Sequence, residues 1–89
     1  METLSNHALG TKLKREMKRL KRHQDTIYGY AMHGEMRFSE CLACATDEDR
    51  HLYGAARTVV MKTESEMRRR FGPGDWLTWL HACGHSVFA

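Results

Sequence analysis

At 89 residues, with 28% charged and 42% apolar side chains, the chain suits a single domain, residues 1–89, and is too apolar to stay disordered. It holds no run of about 18 apolar residues, which excludes a transmembrane helix, and Met1 to Gly10 lacks the charged-then-apolar layout of a signal peptide. Formal charge is only +3, so what it implies depends on its distribution.

Ser5 or Asn6 can cap a first helix. From there to about Glu35 the pattern predicts one long helix. Leu13, Leu20 and Ile27 repeat every seven residues, as do Met17, Gln24 and Ala31, giving a short coiled-coil-like seam with Gln24 as its one polar member. Gly29 and Gly34 weaken the C-terminal part, each by about 1 kcal/mol relative to Ala. Around that seam the helix is basic. Seven of the eleven residues from 12 to 22 are Lys12, Lys14, Arg15, Lys18, Arg19, Lys21 and Arg22, against the single acid Glu16.

Residues 36–46 read either as a short helix capped by Ser39 or as a plain connection. Thr46 followed by Asp47, Glu48 and Asp49 is a stronger start signal, because the acids favour the positive end of a helix dipole. That helix is predicted from Asp47 to about Phe71, with an apolar face of Leu52, Ala55, Ala56, Val59, Val60, Met67 and Phe71. It ends on Arg68, Arg69 and Arg70 before the Gly72-Pro73 stop. Asp75 then caps a short apolar helix, Trp76 to Cys83, stopped by Gly84. The expected fold is all-α: an antiparallel hairpin of two long helices plus a short C-terminal helix, assembled as a helical dimer.

A hairpin turning near residue 41 sets residues near 12 beside 70, and 22 beside 60. Lys62, Arg68, Arg69 and Arg70 then join the run at 12–22, and eleven of the fourteen basic residues gather at the open end. Such a surface points to a polyanion, with Lys12, Lys14, Arg15, Lys18, Arg19, Lys21, Arg22, Lys62, Arg68, Arg69 and Arg70 as the nucleic-acid-binding set. Base-edge readers are scarce and the basic run holds no aromatic, so contact falls on phosphates without sequence readout. Straight helices across a duplex favour double-stranded RNA slightly over DNA, since it is read largely by shape. The second reading is a small regulatory protein that inhibits or adapts an acidic protein partner. Trp76, Trp79 and Leu80 share one face of the last helix, which reads first as core or dimer packing and, under the second reading, as a partner contact. A membrane partner is not expected, because the apolar stripe within 12–22 has no aromatic anchor.

Cys41-x2-Cys44 and His81-x3-His85 are each half of a zinc-ligand pattern, but a 36-residue spacer and opposite placement in the hairpin leave the expected metal set empty. His33 with Glu35, or Cys44 with His51, places no nucleophile, base and orienter together, and no Gly-rich phosphate loop exists, so neither an enzyme nor a cofactor is expected. Three cysteines without a secretory signal suit a reducing, intracellular compartment, cytoplasmic or nuclear.

Overall fold

Local signals start every long element. In the structure, a computed structural model that describes residues 3–85, the Ser5 hydroxyl accepts the Ala8 N–H at 3.1 Å and opens α1, Asn6–Tyr28. The Thr46 hydroxyl accepts the Asp49 N–H at 3.2 Å and opens α3, Asp47–Phe71. Between them lies α2, Phe38–Cys44. The Asp75 carboxylate takes both the N–H and the hydroxyl of Thr78 at 2.8 Å and opens α4, Trp76–Ala82. Gly72 ends α3 at φ +81°, the left-handed region that glycine enters without steric cost. The described residues are therefore all-helical, and no helix among them is long and apolar enough to cross a membrane.

The two long helices pack antiparallel. At one end Arg70 Nη1 donates to Asn6 Oδ1 at 3.1 Å. At the other, the Phe38 ring sits between Tyr28 and Tyr53, 5.1 Å from each. Two apolar clusters hold the hairpin. Leu9, Leu13, Met67, Trp79, Leu80 and Cys83 form the open-end core, where α4 folds back onto α1 and α3. Ile27, Cys41 and Ala45 form the turn-end core under Tyr30, Phe38 and Tyr53. Burying side chains such as Trp79, Leu13 and Ile27 contributes roughly 1.5–3 kcal/mol each, enough to override the modest propensity of a seven-residue helix.

Two expectations need correction. The first helix stops at Tyr28, not near Glu35, with Gly29 as its C-cap. Just beyond, the Tyr30 hydroxyl donates to the Asp49 carboxylate and lies 3.4 Å from Thr46 Oγ1, so a tertiary contact to the start of α3 captures the chain where glycine has already weakened the helix. Of the two readings of the connection the short helix holds, but its N-cap position is Arg37 rather than Ser39, and the Arg37 N–H donates to Glu40 Oε1 at 3.3 Å. Stopping α1 early moves the middle of the connection toward the N-terminus and shifts the hairpin register. Lys12 consequently lies beside Val59, Lys62, Thr63 and Glu66, while Arg70 reaches back to Asn6.

Candidate anion-binding surface

α1 buries Leu9, Leu13, Glu16 and Ile27 along one side. At 3.6 residues per turn, Lys21, Lys14, Lys18, Arg22, Arg15, Arg19 and Lys12 follow one another around about half of the circumference. Arg15, Lys18, Arg19, Lys21 and Arg22 are exposed, and Lys12 and Lys14 are half-buried. The one acid of the run is turned inward. Glu16 Oε1 accepts from Arg15 Nε at 3.3 Å, and Oε2 stands 3.9 Å from Arg19 Nη1. Among the described residues Lys18, Lys21 and Arg22 meet no carboxylate.

The basic residues of α3 are placed differently. Arg69 and Arg70 converge on Glu66, with Nε donors 2.9 and 2.8 Å from its oxygens. These hydrogen bonds, Arg69 first and then Arg70, pull the Glu66 carboxyl down to about 2. The Arg68 guanidinium lies 5.4 Å over the Trp79 ring. Lys62 borders, with Lys12, a hollow of about 250 Å³ that Glu66 also lines. Seven of the eleven basic residues share α1, whereas the three consecutive arginines are engaged within the chain, Arg69 and Arg70 by Glu66 and Arg68 by the Trp79 ring.

Beside the basic arc runs a groove of about 580 Å³ between α1 and α4. Its floor is Leu13, Met17, Leu20 and Leu80; Trp76 and Leu77 wall one side; Lys14, Lys18 and Lys21 stand along the other. Trp76 is 44% and Leu77 46% exposed, large values for such apolar groups. Trp79 and Leu80 are each 1% exposed, and the Trp79 indole N–H donates to the Gly72 carbonyl at 3.1 Å. Within one chain these two residues belong to the core, which leaves Trp76 as the exposed member of the expected contact set. Leu77 is its unforeseen neighbour. The signal was legible as two apolar pairs, Trp76-Leu77 and Trp79-Leu80, in a seven-residue helix: one packing face cannot take up all four.

The cysteine and histidine halves stay apart. Cys41 is buried in the turn-end core and Cys44 is exposed. His85 is at the open end, stacked 4.3 Å from the His7 ring, where its Nε2–H donates to the His7 carbonyl at 2.8 Å. Gly10 leaves room for that ring, since a Cβ there would lie 2.5 Å from His85 Cδ2. Cys83 is buried against Met67, and that burial pushes its thiol up. Among the described residues no three His, Cys, Asp or Glu side chains converge on a point. His33, Glu35, Cys44 and His51 are all exposed, and no hydrogen bond joins either pair. No family model, no curated protein and no solved structure matches this chain.

Proposed function

We propose that the chain binds double-helical nucleic acid, double-stranded RNA ahead of DNA, through backbone phosphates and without sequence readout. The supporting observation is the arc on α1, where Lys18, Lys21 and Arg22 project into solvent without a carboxylate among the described residues while Glu16 faces inward. Arg15 and Arg19 flank them and can exchange their long contacts to Glu16 for a phosphate. α1 is 23 residues long, roughly 34 Å at 1.5 Å per residue, so it can run along one face of a duplex. Lys12, Lys14 and Lys62 border this face. Arg68, Arg69 and Arg70 contribute to the field from a distance, since Glu66 and Trp79 hold them. A homodimer would double the basic surface along the duplex, and sedimentation of the free and duplex-bound chain reads its mass. The role that follows is sequestration of a duplex in the cytoplasm or nucleus, with no reaction catalysed.

The test is a titration of duplex RNA, duplex DNA and a single strand at low and moderate salt. About five phosphate contacts give a slope of roughly −4.5 in log K against log salt, so affinity falls by two to three orders of magnitude over a fourfold rise in salt. Equal affinity for unrelated duplex sequences is expected. Absence of duplex binding at low salt, or binding indifferent to salt, overturns the proposal.

A further inference from the structure

The seam on α1 is only half covered. Leu13, Met17, Leu20 and Gln24 step by four, three and four residues, the spacing that receives another helix. Leu13 is completely buried, but Met17, Leu20 and Gln24 are half-buried. The reason is length: α4 has seven residues, roughly 10 Å, and cannot cover a seam on a helix more than three times as long. Its own Trp76 and Leu77 stand exposed beside the uncovered part. The result is an open apolar trough with lysines on its α1 edge and no acidic residue in its lining.

We propose that this trough seats an acidic amphipathic helix from a partner protein. Apolar residues at i, i+3 or i+4, and i+7 of that helix would fill the floor between Met17, Leu20 and Leu77, and Asp or Glu beside them would meet Lys18 and Lys21. Charge decides against a second copy of this chain in the same place. Two such faces brought together juxtapose the lysines of both copies, and neither trough has an acid in its lining to meet them. Shape decides against a lipid tail, which needs walls on every side, whereas nearly half of Trp76 and Leu77 is open to solvent. The inference does not rest on the phosphate reading. It shares Lys18 and Lys21 with it, so an acidic helix and a duplex compete, while Leu77 serves the trough alone.

The experiment uses the full chain, a designed peptide of about four helical turns carrying Leu at i, i+3, i+4 and i+7 with Glu at its flanks, and the same peptide with Lys in place of Glu. Binding is read by amide chemical shifts and by displacement of a labelled RNA duplex. The Glu peptide is expected to shift residues 13–24 and 76–80 and to bind at least about tenfold more tightly than the Lys peptide. Leu77→Gln should weaken the Glu peptide roughly tenfold, as loss of a central apolar anchor does, and leave duplex affinity unchanged. Circular dichroism checks the fold of this variant, and Lys18→Glu with Lys21→Glu should weaken both ligands. Equal binding of the two peptides, shifts outside the trough, or indifference to Leu77→Gln overturns the inference. A Glu peptide that fails beside a duplex that binds sinks the trough and leaves the phosphate reading standing; the reverse pattern does the opposite.

Discussion

The chain carries two dense runs of positive charge, 12–22 on α1 and 68–70 on α3, and the structure gives them opposite fates. On α3, Glu66 precedes Arg69 by three residues and Arg70 by four, the order in which an acid and a base meet best on a helix surface. Arg68, on the other side, lies over the Trp79 ring. Within the run on α1 the only acid, Glu16, occupies a buried position, so it touches its neighbours Arg15 and Arg19, and among the described residues Lys18, Lys21 and Arg22 meet no carboxylate. What separates the two runs is where the nearest carboxylate falls around the helix, and charge density alone does not reveal it. The run on α3 helps hold the open end together, and the run on α1 faces outward.

The comparison breaks most completely if the open-end core is removed. Trp79→Ala takes away a 1% exposed indole, its hydrogen bond to Gly72 and the ring under Arg68. A loss of about 3–5 kcal/mol is expected, large against the stability of a domain this size, and urea denaturation measures it. Such a variant would lose function by unfolding, so Trp79 cannot be used to probe a partner surface selectively. Next in size is the triple change Lys18→Ala, Lys21→Ala and Arg22→Ala. These exposed positions should cost little stability, within about 0.5 kcal/mol each. Duplex affinity should nevertheless fall at least about tenfold, with the salt slope shallower by nearly three, alike for every sequence tried. Unchanged affinity would remove α1 from the interface. The matching pair on the other run, Arg69→Ala and Arg70→Ala, sharpens the contrast: duplex affinity should change by no more than about threefold, while the urea midpoint falls because Glu66 loses both partners.

Much of this architecture is legible in the sequence. The caps Ser5, Thr46 and Asp75 are side-chain chemistry acting within three residues, and the long helix on 47–71 is bracketed by acids at one end and Gly72 at the other. The end of α1 was not legible in this way. The tertiary part of its cause is the bond from Tyr30 to Asp49, nineteen residues away, and no local propensity carries that information. The register followed from it, and with it the separation of Arg68, Arg69 and Arg70 from the run at 12–22. The trough was half legible. Its floor is the heptad seam, but that the seam would be left open depended on how far α4 reaches, which is a matter of packing.

The smallest effect is also the most specific. Hydrogen bonds from Arg69 and then Arg70 hold the Glu66 carboxyl at about 2, below its ordinary 4.5. A carboxyl lowered in the folded chain stabilises it above the ordinary value, and that contribution drains away as pH falls from about 4.5 toward 2. Asp75 acts in the same sense, since the Thr78 N–H and hydroxyl lower its carboxyl as well. Urea midpoints measured from pH 6 down to 2 should therefore decline for the parent chain. Glu66→Gln should be less stable at pH 6 and decline less steeply below 4.5, keeping only the part of the slope that Asp75 and the other carboxylates supply. Parallel pH profiles for the two proteins would mean that the arginine pair on α3 is no more anchored than Lys18, Lys21 and Arg22 of α1, and the contrast between the two runs would lose its electrostatic basis.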